Sequence, residues 1–222
     1  MLKLIIGNKV YSSWSLRGWL AVKQSGLPFE EVVVPLYDDA WEARKLEGDL
    51  APSNGKVATL WDGDTPVWDS LAILDYLDAK TGRTKFWPSD PAALALARSM
   101  AAEMHAGYMP LRREHSMNLR LALPSSTPGD EVQADIDRIM TLWAQARTRF
   151  GADGDYLFGG FGAVDIMFAP VVTRFQSYGL PVTALGRTYM DAVFAHPFMA
   201  EWVAGANAED WVIPRFEPQP AE

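Results

Sequence analysis

The segment from Gly162 to Tyr178 is apolar on nearly every face. Ile166, Met167, Phe168, Val171, Val172 and Phe175 recur too densely for a one-sided amphipathic stripe. A helix that is hydrophobic all round is a buried one. It therefore predicts a domain built around it, and the sequence beyond residue 91 supplies the surroundings. A long helical pattern covers Pro91–Leu123, with Gly107 and Pro110 expected to bend or break it. A loop follows at 124–130 (PSSTPGD), then a helix over Glu131–Phe150 and shorter helices near 185–195 and 197–206. The expected unit is all-α, with the apolar segment at its centre.

The first eighty residues obey a different pattern. Leu2–Ile6 is a short apolar strand. Ser15–Ser25 carries Leu16, Trp19, Leu20 and Lys23 at helical spacing and stops at Gly26-Leu27-Pro28. Phe29–Val34 is rich in β-branched residues, a strand signal. Asp38–Glu47 reads as a helix with acidic residues first. Val57–Trp61 and Pro66–Trp68 flank Asp62-Gly63-Asp64, a hairpin signal. Ser70–Lys80 is helical, closed by Thr81-Gly82. The order is β-α-β-α-β-β-α, which predicts a parallel first pair of strands joined by a crossover and an antiparallel second pair.

Composition removes several function classes. The formal net charge of -8 argues against a nucleic-acid partner, which calls for a basic footprint. It leaves room for a small anion, because a local positive field can override the net charge. With no cysteine, the chain has no disulfide, no cysteine metal site and no thiol nucleophile of its own. His105, His115 and His196 are scattered, so no metal is expected. No apolar run reaches the ~18 residues of a membrane span, and MLKLIIGNKV turns polar too soon for a signal segment. A cytoplasmic protein with no membrane partner is the expectation.

A β-α-β-α-β-β-α domain followed by an all-helical one resembles the glutathione S-transferase superfamily, whose N-terminal domain is thioredoxin-like. SSWSLR at 12–17 is similar to the family's serine-bearing first loop and helix, above all to the SSxSxR of the zeta, or maleylacetoacetate isomerase, class. GKVATL at 55–60, DSLAILDYL at 69–77 and DIMFAPVV at 165–172 are similar to three further signatures, in the right order. The resemblance covers nearly the whole chain. It implies a glutathione-binding domain over 1–80, a linker over 81–91, and a helical domain over 92–222 that contributes the second-substrate pocket.

The activity so implied is a serine-type glutathione transferase, with a zeta-like isomerase as a close variant. Glutathione is the co-substrate and a small electrophile the second substrate. The thiol of a free cysteine has a pKa of ~8.5, so a site must favour the thiolate. A serine hydroxyl and a helix N-terminus both do so. By resemblance Ser12 is the first candidate donor and Ser13 the second, with Ser15 a cap or first-turn residue. On the residues alone, all three read as caps and turn residues; the downstream motifs turn the reading toward a functional serine. Asp69 is implied to accept from the glutathione ammonium, and Ser70 to hold the γ-glutamyl carboxylate at a helix N-terminus. Asp69 also reads as an ordinary N-cap, which is compatible. Val57 is implied to pair its backbone with the cysteinyl unit, and Lys56 to meet the glycyl carboxylate or simply face solvent.

Three residues depart from the family pattern. Ala58 stands where the family nearly always has proline, so the Val57–Ala58 bond is open to either isomer and glutathione affinity is the property at stake. Gly162 takes the place of a serine or threonine cap, leaving Asp165 with half a capping box. Trp14 occupies the zeta-class cysteine position. Met104, Tyr108 and Arg112 share a helix face and are candidates for the second-substrate pocket. Arg112, Arg113 and Arg120 either attract an anionic substrate or face solvent. The resemblance also implies a homodimer. The competing reading is a non-catalytic binding module of the same fold, with Ala58 its best support.

Overall fold

Residues 1–217 are described by a computed structural model. Strand β1 (Leu2–Ile6) lies inside a four-stranded sheet of order β2-β1-β3-β4. It runs parallel to β2 (Phe29–Val33), with Leu2 opposite Phe29, and antiparallel to β3 (Thr59–Asp62). β3 and β4 (Thr65–Trp68) form the expected hairpin. The parallel pair needs a crossover, and α1 (Ser13–Ser25) supplies it before ending at Gly26 in the left-handed conformation. Leu2, Leu4 and Ile6 join one apolar cluster with Leu16 and Leu20 of α1 and Ile73 and Leu74 of α3 (Ser70–Lys80). Ile5 points the other way, into a cluster with Val34, Trp41 and Leu50. That alternation is the strand period of two.

The helix expected over 38–47 is shorter. Only Trp41–Arg44 is α-helical (α2), and a 3-10 turn at Gly48–Ser53 carries the chain toward β3. Trp41 is the sole buried residue of α2, so little packing holds a longer helix there.

Beyond Pro91 the elements are α4 (Pro91–Ala106), α5 (Met109–Glu114), α6 (Asp130–Phe150), α7 (Ala163–Tyr178), α8 (Ala184–Ala195) and α9 (Pro197–Asn207), then a 3-10 turn at Pro214–Phe216. Every residue of α7 except Gln176 and Tyr178 is buried, as its apolar pattern requires. It packs on α4 and α8 within its own half and on α1 of the other. Trp143 of α6 meets Phe168 and Phe175 of α7, each at 5.7 Å between ring centres. One apolar cluster runs through both halves, from Leu4 and Leu16 to Met100 and Phe168.

The helical pattern read over Pro91–Leu123 does not survive as one helix. α4 stops at Gly107, whose N–H bonds Glu103 O at 2.8 Å; a Cβ there would meet that same oxygen at 2.8 Å. Tyr108 takes a left-handed φ of 59°, and Pro110 opens α5. Residues 115–129 are not helical.

Asp165 does keep its half of the capping box. Its Oδ2 accepts from Gly162 N–H at 2.9 Å, while Oδ1 accepts from Leu157 N–H and the Tyr189 hydroxyl. A Cβ on Gly162 would lie 2.6 Å from Phe86 O. The chain from the linker passes so close to the start of α7 that no side chain fits, which accounts for the missing cap hydroxyl. No helix among the described residues is long and apolar enough to cross a membrane.

Candidate active site

The start of α1 is held from below before any ligand arrives. Asn8 O accepts from Ser12 N–H, and Asn8 Oδ1 accepts from Leu36 N–H. The Glu209 carboxylate takes the N–H groups of both Lys9 and Val10. Ser12 is then the N-cap of α1: its Oγ accepts from Ser15 N–H at 3.2 Å and donates to Ser15 Oγ at 2.8 Å. Ser15 Oγ in turn accepts from Gly7 N–H. Ser13, first residue of the helix, is different. Its Oγ accepts from Arg174 Nη2 at 2.9 Å and has no other partner among the described residues. Both serines border a cleft of ≈ 580 Å³ between the two halves of the chain.

Four cationic side chains line that cleft, Arg17, Lys56, Arg112 and Arg174, against one carboxylate, Asp69. Among the described residues, none of the three arginines has a carboxylate within ion-pair distance. Arg17 donates to Met167 O, while its buried Nη1 has no partner. Arg112 donates to the Met104 and His105 carbonyls at the end of α4. Arg174 donates to His115 O and Pro170 O as well as to Ser13. Burial lowers all three pKa values, that of Arg174 to about 10 and that of Arg17 well below the ordinary range. Mutual repulsion adds to the shifts of Arg17 and Arg174. Guanidinium groups stay charged at neutral pH, so the site holds a net positive field that Asp69 offsets only in part. Trp14 sits between two of them, its ring 4.8 Å from Arg17 Cζ and 5.3 Å from Arg112 Cζ.

On the facing side, α3 begins at the same cleft. Asp69 caps it through Leu71 N–H and holds a φ of 70°, a conformation costly for a non-glycine residue. His105 Nε2 lies 3.4 Å from the Asp69 carboxylate. Ser70 is 3% exposed, borders the cleft, and its Oγ makes no hydrogen bond among the described residues. A buried hydroxyl without a partner at a helix N-terminus has the chemistry of an anion site. Lys56 and Val57 form the adjoining edge, and the Val57–Ala58 bond is cis. Ala58 packs against α1 at Gly18, where a Cβ would come within 2.5 Å of the Ala58 methyl.

Six of the residues singled out from the sequence, Ser12, Ser13, Lys56, Val57, Asp69 and Ser70, therefore converge on one cleft, joined by Arg112. Met104 and Tyr108 do not line it. The break at Gly107 destroys the helical face they were expected to share with Arg112. Met104 is 1% exposed in the core, and the Tyr108 hydroxyl bonds Glu103. Arg113 faces solvent beside Glu131, and Arg120 holds the Ala206, Glu209 and Trp211 carbonyls. The basic trio of the site is Arg17, Arg112 and Arg174 instead. Arg174 went unnoticed, although with Asp165 it is one of only two charges in the apolar segment of α7. Tyr11, Tyr37 and Phe216 also border the cleft. The Tyr11 hydroxyl is taken by the Glu217 carboxylate, and burial with that contact raises its pKa to about 12.

Comparison with known proteins agrees with this architecture. The glutathione S-transferase N-terminal domain family matches residues 11–80, and the glutathione S-transferase C-terminal domain family matches residues 129–205. The chain belongs to the glutathione S-transferase superfamily. The thioredoxin-like sheet domain and the helical domain are those of this fold. Glutathione S-transferase U28 of Arabidopsis thaliana is 30% identical over 100 residues, a match spanning 45% of this chain and 43% of that protein. A glutathione transferase homologue from Burkholderia, solved with bound glutathione, superposes with a TM-score of 0.69 at 22% identity, covering 94% of this chain and 99% of that one. Maleylacetoacetate isomerase from Anaeromyxobacter dehalogenans superposes with a TM-score of 0.66 at 21% identity, covering 99% and 97%.

Proposed function

We propose that this superfamily member is a serine-type glutathione transferase that binds glutathione across the α1 and α3 N-termini. The Ser13 hydroxyl then stabilises the glutathione thiolate. The observation that carries the reading is the state of Ser13. Its oxygen accepts from an arginine, so its own proton is uncommitted at the mouth of a helix N-terminus. Ser12, ranked first on the sequence, is committed to capping. The γ-glutamyl carboxylate takes the Ser70 hydroxyl and N–H, the ammonium takes Asp69, the cysteinyl amide takes the Val57 backbone, and Lys56 meets the glycyl carboxylate. The thiol proton leaves to solvent, Ser13 donates without ionising, and the thiolate attacks the electrophile.

The positive field around Arg17 and Arg112 supports an electrophile that carries carboxylate groups. On such an unsaturated acid the reaction is a zeta-like isomerisation. The C–S bond forms at one alkene carbon as the π pair shifts onto the conjugated carbonyl oxygen, the resulting C–C single bond rotates, and the pair returns to re-form the alkene as the C–S bond breaks and releases thiolate. A cytoplasmic homodimer completes the reading; exposed Trp68 on edge strand β4 offers an apolar contact, and sedimentation at micromolar concentration as a monomer would count against it.

The test is calorimetric titration with glutathione, with ultraviolet absorbance of the bound thiolate followed against pH. The bound thiol is expected to titrate below its free value of ~8.5. Ser13→Ala is expected to raise that pKa by about one unit, the loss of a hydrogen bond to a charged group. No binding at millimolar glutathione would overturn the reading in favour of a non-catalytic module.

A further inference from the structure

Arg174 is buried in the helical domain yet reaches across to the first residue of α1 in the other domain, 161 positions away. An arginine carries donors only, so in this contact Ser13 Oγ must accept. A serine hydroxyl at a helix start ordinarily bonds a backbone group of its own first turn, as Ser12 does with Ser15 N–H. The incoming N–H instead fixes which way the lone pairs point, and so where the remaining O–H can go. The guanidinium is itself rigidly held: Nε on His115 O at 2.8 Å and Nη1 on Pro170 O at 2.8 Å. Both anchors are neutral carbonyls. Among the described residues no carboxylate pairs with this charge, and it lies one hydrogen bond from the serine.

We propose that Arg174 is the positioning residue of the thiol-activating serine: it holds the Ser13 oxygen as an acceptor so that the hydroxyl proton is presented to the sulfur. This rests on the reading of Ser13 as thiolate donor. Charge-assisted donation to Oγ also polarises the O–H, making it a stronger donor toward S⁻. The helical domain thereby takes part in activating a thiol that is bound by the sheet domain. The arginine touches no reacting atom in this scheme; it acts through the serine.

Four proteins test it: wild type, Ser13→Ala, Arg174→Gln, and the double variant, each titrated for the pKa of bound glutathione and for glutathione affinity. Arg174→Gln is expected to raise the thiol pKa by about one unit, a tenfold drop in thiolate at pH well below it. In the Ser13→Ala background the same change is expected to add little, because the path through the hydroxyl is already gone. Affinity at a pH where the thiol is protonated is expected to change little. Arg174→Lys, which keeps the charge but lacks the anchored fork, is expected to raise the pKa also, and it carries the test if the glutamine variant does not fold.

A raised pKa in Ser13→Ala with a wild-type value in Arg174→Gln or Arg174→Lys would overturn the proposal and leave the serine reading intact. Equal, additive shifts would overturn it too, since Arg174 would then act on the sulfur independently of Ser13. A bound thiol indifferent to Ser13→Ala would overturn both.

Discussion

At the scale of single residues, the run of three serines in SSWSLR is resolved by asking what each hydroxyl already does. Ser15 takes Gly7 N–H and lies buried away from the cleft, Ser12 caps the helix and donates to Ser15, and of the two serines that border the cleft Ser13 is the one whose proton has no acceptor among the described residues. This division of labour is expected to show in Ser12→Ala. Loss of a side-chain N-cap costs about 1 kcal/mol, so thermal unfolding should come a few degrees earlier, about 2–4 °C for a chain of this size. The bound glutathione thiol should keep its wild-type pKa, in contrast to Ser13→Ala. A large pKa shift in Ser12→Ala with none in Ser13→Ala would reverse the two assignments. Nothing local in the sequence distinguishes these hydroxyls. The partner that selects Ser13 comes from α7, and a contact between residues 161 apart leaves no mark on six consecutive letters.

At the scale of elements, the legible features were those with strong periodicity or punctuation. The apolar α7, the Gly-centred hairpin turn and the closure of α1 at Gly26 all followed from side-chain pattern and turn chemistry. The failures lie where pattern and punctuation conflict. The Met104, Tyr108 and Arg112 spacing was helical, but Gly107 and the left-handed Tyr108 turned the chain between them. Arg112 then reached the cleft from α5 rather than from α4. Asp165 shows how an element can depend on one buried carboxylate. Burial raises its pKa from 3.8 to about 6 despite four donors aimed at it, the N–H groups of Leu157, Gly162 and Asp165 itself and the Tyr189 hydroxyl. The folded protein thus binds a proton there more tightly than the unfolded chain does. This contribution to stability is full below the unfolded value and is lost as pH rises through about 6. Asp165→Asn cannot titrate and turns an N–H toward a donor, leaving a buried group unpaired at a cost of about 1–3 kcal/mol. Urea unfolding is therefore expected to show the variant less stable throughout, with the gap from wild type narrowing between pH 4 and pH 7. A gap that stays constant with pH would mean Asp165 is already ionised in the folded state.

At the scale of the whole molecule, the sign of charge inverts between surface and cleft. The chain carries a formal net charge of -8, yet four cations and one carboxylate face the cavity. Composition alone could not reveal this, because the three arginines come from α1, α5 and α7 and meet only on folding. Among the described residues none of them has a carboxylate in ion-pair contact, so holding them together works against the fold through mutual repulsion, and an anion in the cleft would relieve it. A negatively charged exterior also repels anions at long range, so recognition must act within about a Debye length, about 8 Å at physiological salt. With glutathione saturating, a small unsaturated dicarboxylate is expected to bind, and its neutral diester is expected not to. Raising the salt should weaken the dianion only modestly, because the arginines are shielded from bulk ions. Arg112→Gln removes a charged partner from the edge of the field without touching Ser13. It should weaken the dicarboxylate by about ten- to a hundredfold, the worth of a hydrogen bond to a charged group, while leaving the thiol pKa in place. Competition calorimetry reads the affinity, and thiolate absorbance against pH reads the pKa. Equal affinity for the diacid and the diester would sink the anionic-substrate reading and would point to an apolar electrophile held by Met109, Met117 and Phe216, which line the same cleft.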